Sequence, residues 1–470
     1  MNEIHHRFQK NYEEITAQHF ENCQCGVFQI TRESVLDCIY CLKLGKSFDD
    51  EQLSAEHLIY APVSLVERLH QLMNSMLRHA YVPNQFKRGT IVPLVKDHQG
   101  DHGSMDNYRG ITLSPIISKA FEHAMRTVFG PYLVTSHFQF GYKKKSSTIH
   151  ALYTLKETIN HYTDRGSNVF CAFLDASKAF DRLVHAGLFL KLLDRGAPMI
   201  LIDIVKYWYS ELFCRVRWDC IYSDWFPVIA GVRQGGILSP DFYCIYVDDM
   251  ITGLKDLNIG CKIRDILVSA LGYADDMALI SPSLRGLQRL LRHCERYCKA
   301  WDICLNPKKS RCMYFGKRRK VLCKLLLNGN CIEWAEKWTY LGIDLVSHKS
   351  FNCCIDSKLR KFYRCLNSIL RVGGRSNDLI MLRLLEAHCI PILTYGVEIV
   401  FVADRNKRRQ LRVAYNSVFR RIFDYRQYQS VRELQSFFHR PTWEELCDRR
   451  QSKFMNAIRS TNHLNCFLDR

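Results

Sequence analysis

Apolar positions in the first 80 residues recur at helical spacing. Leu65, Leu69, Leu72, Met73, Met76 and Leu77 form one stripe, and Pro83 lies just past it. A period near 3.6 residues predicts an amphipathic helix. A second helix is predicted over Thr31 to Lys43: Thr31 can cap it, Glu33 sits in its first turn, and Val35, Ile39 and Leu42 share a face. The pattern changes near Phe86. From there to Leu345, short β-prone runs (Thr90-Ile-Val-Pro-Leu-Val, Val169-Phe-Cys-Ala-Phe-Leu, Ala278-Leu-Ile, Cys312-Met-Tyr-Phe) alternate with helical stretches. Such alternation implies an α+β domain with helices packed on a sheet. From about Ser347 the chain reads as helical again and strongly basic, as in Lys358-Leu-Arg-Lys-Phe-Tyr-Arg and Asn406-Lys-Arg-Arg-Gln-Leu-Arg. No internal repeat is visible, which excludes a solenoid. The expected organisation is a helical extension over 1–80, a mixed region over 81–345, and a helical, basic region over 346–470.

Charge sharpens this picture. Lys and Arg number 66 against 47 Asp and Glu, a net charge of +19. Such an excess draws polyanions. Nucleic acid is the commonest, because neutralised phosphates release counterions; a basic ribosomal, mitochondrial or membrane-surface protein would show the same balance. The hydrophobic fraction of 47% and charged fraction of 24% are those of a folded protein. The 21 cysteines are scattered, and no apolar leader follows Met1, so reduced thiols in the nucleus or cytoplasm are expected. No apolar run is long enough for a membrane span; Ile390 to Ala403 comes nearest but contains Pro391 and Glu398. Cys23 and Cys25 followed by Cys38 and Cys41 approach zinc-ligand spacing, but cysteines on an amphipathic helix are usually small buried hydrophobes.

Three Asp-Asp pairs stand out. Asp49-Asp50 lies in a polar stretch and reads as a loop. Asp248-Asp249 follows Ser239-Pro240, a helix-start signal, and reads as a helix surface. Asp275-Asp276 differs, because Leu271-Gly-Tyr-Ala precedes it and Met277-Ala-Leu-Ile follows. Strand, turn and strand would put two carboxylates at a hairpin tip, where adjacent anions repel each other; an exposed turn with incidental acids is the plainer alternative. Asp175 ends the β-prone run from Val169. An acid at a strand's C-terminal end can face a cleft, or cap a following helix, as Asp181 could. Three such carboxylates could hold two metal ions for in-line phosphoryl transfer.

Phe173-Leu-Asp-Ala-Ser-Lys-Ala-Phe-Asp, Gly231-Val-Arg-Gln-Gly-Gly-Ile-Leu-Ser-Pro240, Tyr273-Ala-Asp-Asp276, Leu305-Asn-Pro-Lys-Lys-Ser310 and Tyr340-Leu-Gly-Ile occur in that order. They resemble motifs A to E of reverse transcriptases of the non-LTR (LINE-type) retrotransposon branch. Upstream, Ile91-Val-Pro-Leu-Val-Lys96, Asn107-Tyr-Arg-Gly-Ile-Thr-Leu113 and Gln139 to Thr148 resemble the fingers. The resemblance implies an α+β right-hand polymerase fold, with fingers, a palm built on an antiparallel sheet, a thumb, and helical N- and C-terminal parts. It implies RNA-directed DNA synthesis with two Mg2+ ions, Mn2+ being a possible substitute, on an RNA template, a DNA primer or target, and dNTPs.

Residue by residue, the resemblance makes Asp175, Asp275 and Asp276 the metal-binding triad and gives Ala176 a backbone carbonyl role. Phe180 would be the gate that crowds a ribose 2′-hydroxyl; otherwise it is core packing. Lys96 and Arg109 would contact the triphosphate, as a point charge and a bidentate fork. Gln234, Gly235 and Gly236 would permit close approach to the nascent pair, or simply form a loop before a helix. Lys308 or Lys309 would protonate pyrophosphate, or be a surface charge. Lys143, Lys144 and Lys145 would touch template backbone, and Tyr340, Leu341 and Gly342 would form the primer grip. Two departures accompany the match. A Gly-rich Asp-Gly turn common in the family is replaced by Gly45-Lys-Ser-Phe-Asp-Asp-Glu-Gln-Leu-Ser54. No endonuclease signature is visible, so a separate nicking activity would come from a missing domain or another protein. A catalytically inactive or domesticated RNA-binding protein of the same fold is the alternative reading.

Overall fold

The computed structural model describes residues 3–19, 28–317, 323–373, 377–400, 404–461, 464 and 467. Helices and sheets are mixed along the chain, as an α+β fold requires. Two compact units divide it: Met1–Gln139 with Ala176–Gly253 and His293–Asn306, and Phe140–Asp175 with Leu254–Arg292 and Pro307–Arg470.

The first unit opens with helices Glu3–His19, Arg32–Tyr40, Ala55–Ile59 and Val63–Arg78. The Thr31 hydroxyl accepts from the Ser34 N–H at 3.1 Å and caps the second helix; Val35, Cys38, Ile39 and Leu42 are buried. Of the predicted stripe, Leu69, Met73, Met76 and Leu77 are buried and Leu72 is exposed. Strands Arg88–Val95 and Tyr108–Leu113 pair antiparallel, and Phe213–Trp218 runs parallel to the former.

One acidic reading needs correction here. Asp248 is on the long helix Ser239–Asp256, but it is buried rather than on the surface. It accepts from the Ser136 N–H and from Arg195, each at 2.8 Å, and Asp249 pairs with Lys191. The helix is covered on nearly all sides, so its polar residues also need internal partners. Asp49 lies in a loop, as its polar surroundings suggest, and its side chain holds that loop together. It is buried, and its carboxylate accepts from the N–H groups of Glu51, Leu53 and Ile116. Asp50 binds the Thr90 hydroxyl and Arg215.

The second unit is built on a six-stranded sheet in the order Leu325–Leu327, Asn330–Trp334, Arg311–Phe315, Val169–Leu174, Asp276–Ser281, Ala270–Tyr273. Every pairing is antiparallel except Arg311–Phe315 with Asn330–Trp334. Val169–Leu174 lies inside this sheet and is buried along its whole length, which explains its unbroken apolar sequence. A three-stranded sheet follows, Lys337–Tyr340, Ile343–Val346 and Asn352–Cys354. The chain then becomes helical, with Asp356–Gly373, Asp378–His388, Arg405–Ile422 and Trp443–Arg459 the longest elements. Asp404 and Thr442 cap two of them. Among the described residues no helix is long and apolar enough to cross a membrane.

Candidate active site

The three acids expected to act together lie at the ends of neighbouring strands of the six-stranded sheet. Tyr273 pairs with Asp276, leaving Ala274 and Asp275 as a two-residue turn. The hairpin anticipated from the sequence is present. Ala274 is buried and holds φ +57°, a left-handed conformation that costs a side-chain-bearing residue about 1 kcal/mol. Such strain persists only where surrounding structure imposes it.

Leu174 pairs with Met277, so the same register carried one residue further sets Asp175 opposite Asp276. Directly opposed residues share a face. Asp175 is therefore neither a helix cap nor distant from the Asp-Asp turn. Its own N–H donates to the buried Ser310 hydroxyl at 3.3 Å. On the other flank, Arg311 pairs with Phe173, which brings Lys309 level with Asp175; Lys308 and Lys309 occupy the exposed turn before Ser310. Ser310 is a site residue that the sequence did not single out. It closes the motif Leu305–Ser310, which carries no stated role for it, and lies between the Lys-Lys pair and the strand Arg311–Phe315.

The electrostatics follow from this crowding. The Asp276 carboxyl is pushed up to about 6, first because surrounding protein withholds solvent and then by the charges of Asp275 and Asp175. Beneath it, Tyr340 is buried with its ring 4.8 Å from that of Phe173. Its hydroxyl has no hydrogen-bond partner, and burial, then Asp276, raise its pKa. Of the expected primer grip, only the Leu341-Gly342 turn reaches the surface. The Tyr395 hydroxyl donates to the Leu341 carbonyl at 2.6 Å.

Oxygen-only donors of like charge suit a hard divalent cation, which would offset both the lost hydration and the mutual repulsion that raise the Asp276 pKa. Among the described residues no three His, Cys, Asp or Glu side chains are already gathered around one point for a metal. The carboxylates are neighbours at the ends of adjacent strands rather than a closed ligand set. Cys38 is buried and Cys41 exposed; Cys23 and Cys25 lie outside the described residues.

The remaining candidates take two positions. In the second unit, Lys143, Lys144 and Lys145 lie in the loop before helix Thr148–Thr163, with Lys144 and Lys145 exposed. The others belong to the first unit. Arg109 pairs with Leu94 across the hairpin, and Lys96 lies two residues on, so both project from one face. Lys96 donates to the Asp106 carbonyl at 2.8 Å. Ala176 bridges to Leu305. The Phe180 ring stacks on Tyr243 at 4.7 Å. Gln234 donates to Asp181 at 2.9 Å. Gly235 holds φ +134°, and a Cβ there would meet the Thr112 carbonyl oxygen at 2.5 Å. Its freedom thus serves close approach of the protein's own backbone.

Comparison with known proteins defines the class. The family model for reverse transcriptase (RNA-dependent DNA polymerase) matches residues 95–345, and the chain belongs to that family. Among curated proteins it is similar to a probable RNA-directed DNA polymerase from transposon BS of Drosophila melanogaster, 26% identical over 91% of this chain and 48% of that one. It is also similar to the RNA-directed DNA polymerase from mobile element jockey of the same fly, 25% identical with the same coverage. The chain thus spans about half the length of these relatives. A solved apo telomerase from Candida tropicalis is 12% identical over 86% of this chain and 74% of that one, with a TM-score of 0.45, too loose a likeness to define the fold.

Proposed function

We propose that this chain is the polymerase part of a non-LTR retrotransposon protein and copies RNA into DNA. The observation that carries this reading is Asp175, Asp275 and Asp276 brought together at the ends of neighbouring strands, with the Asp276 pKa raised first by lost hydration and then by the charges of the other two. Reverse transcriptases use divalent metal ions, and Mg2+, with Mn2+ as a substitute, is the fitting pair for oxygen donors. When bound, two such ions would neutralise charge on the reacting phosphate and its leaving group.

The chain's own residues would do the rest. Ser310 fixes the backbone at Asp175. Lys308 or Lys309 would hold and deliver a proton to departing pyrophosphate. Lys96 and Arg109 would bind the triphosphate, Phe180 would exclude the ribose 2′-hydroxyl, and Gln234, Gly235 and Gly236 would support the nascent pair. Lys143, Lys144 and Lys145 would follow the template backbone, and the Leu341-Gly342 turn, propped by buried Tyr340, would meet the primer. In domain terms, residues 1–80 form the N-terminal extension, 81–345 fingers and palm, and 346–470 the thumb and C-terminal region. A separate nicking activity, from another part of the protein or another protein, would supply the DNA primer end. Exposed free thiols such as Cys41, Cys220 and Cys331 fit a reducing compartment, the nucleus and cytoplasm.

The test is extension of a DNA primer annealed to RNA, with dNTPs and Mg2+. Template-directed DNA product is expected. Tight, salt-sensitive RNA binding with no product under Mg2+ or Mn2+ would overturn the reading.

A further inference from the structure

We propose that Glu122 is a positioning residue for nucleotide selection, because its buried carboxylate fixes the loop that is hydrogen-bonded to Phe180. The proposal rests on the polymerase reading above.

Glu122 lies on helix Ile116–Val128 among Ala120, Phe121, Ala124 and Met125 and is 3% exposed. A carboxylate so placed needs strong internal partners. One oxygen accepts from the N–H groups of Ile237, at 2.5 Å, and Leu238, at 2.8 Å. The other faces the guanidinium of Arg233 at 3.3 Å. Arg233 is itself buried, donates to the Phe86 carbonyl at 2.9 Å and lies 5.2 Å from the centre of the Trp208 ring. One carboxylate therefore holds both ends of the segment Arg233–Leu238, and the span between them is Gln234, Gly235 and Gly236.

That segment has little slack. The Gln234 carbonyl accepts from the Thr112 N–H at 2.7 Å, and the Val232 N–H donates to the Phe180 carbonyl at 2.8 Å. A shift of the loop is thus passed to the backbone of the 2′-hydroxyl gate and to Gln234. Positional errors of about 1 Å at such supports cost up to about 100-fold in rate. Nothing in the sequence marks Glu122 except that it is a lone acid on an apolar helix face.

The experiment compares wild type with Glu122→Gln and Glu122→Asp. Gln keeps the volume but turns one acceptor into a donor facing N–H groups. Asp keeps the charge opposite Arg233 but withdraws the carboxylate by one methylene. Both should raise KM for dNTPs and lower the preference for dNTPs over rNTPs, each by about tenfold. Primer–template binding should be unchanged, and hydrogen exchange at Ile237 and Leu238 should be faster. The Asp variant alone decides the question if the Gln variant does not fold. Wild-type KM, discrimination and exchange in a folded variant would overturn the proposal while leaving the polymerase reading intact. Failure of the wild type itself to extend a primer would overturn that reading, and this proposal with it.

Discussion

Replacing Asp276 by Asn should stabilise the metal-free protein. In the folded chain this carboxyl titrates near 6 instead of 3.8. Unscreened, that displacement is worth about 3 kcal/mol at 1.36 kcal/mol per pH decade. Neighbouring protein displaces part of the carboxyl's hydration, but the residue keeps an exposed face, so screening leaves about 1 kcal/mol. The sign follows from proton linkage. Between pH 3.8 and about 6 the folded state binds the proton more tightly than the unfolded state, so stability falls as pH rises through this window. Above it the penalty is complete, and below it absent. Urea denaturation in EDTA should therefore show Asp276→Asn more stable than wild type by about 1 kcal/mol at pH 7.5, with the gap closing near pH 4. Added Mg2+ should reverse the order, because a cation that binds only the folded wild-type site stabilises it by mass action. A variant no more stable than wild type at pH 7.5, or a gap independent of pH, would refute the crowding argument.

Three other outcomes are expected. Phe180→Ala should relax discrimination against rNTPs in primer extension; unchanged discrimination would remove Phe180, stacked on Tyr243, from the gate role. Arg195→Met leaves the buried Asp248 without its guanidinium and should cost about 3–5 kcal/mol in urea denaturation; a loss below about 1 kcal/mol would contradict a buried ion pair. Burial holds the His185 imidazole down to about 4, with Nε2–H donating to the Gly231 carbonyl at 2.7 Å. Its folded pKa is depressed, so stability present above pH 6.5 is lost as pH falls from 6.5 towards 4. His185→Gln should flatten that slope, and an unchanged slope would argue against a neutral buried imidazole.

Much of this architecture was legible in the sequence, for identifiable reasons. The Asp-Asp hairpin could be read because apolar runs bracket the pair so closely that only a tight turn fits. The strand Val169–Leu174 could be read because a strand covered on both faces needs no polar residue. Asp248 was misread because helical spacing reveals a helix but not how many of its faces are covered. Its partner Arg195 is 53 residues away. The meeting of Asp175 with Asp276 was beyond spacing alone, since strand register arises from pairing across 100 intervening residues. Ser310 and Glu122 were missed for the same reason: a single polar residue acquires its meaning from the backbone groups brought to it.

The most direct test of the central claim is primer extension on an annealed RNA template with dNTPs and Mg2+, wild type beside Asp275→Asn. DNA synthesis is expected from the wild type and none from the variant, with equal binding of primer–template by both. Synthesis by Asp275→Asn at the wild-type rate would contradict the assignment of the carboxylate cluster as the catalytic metal site.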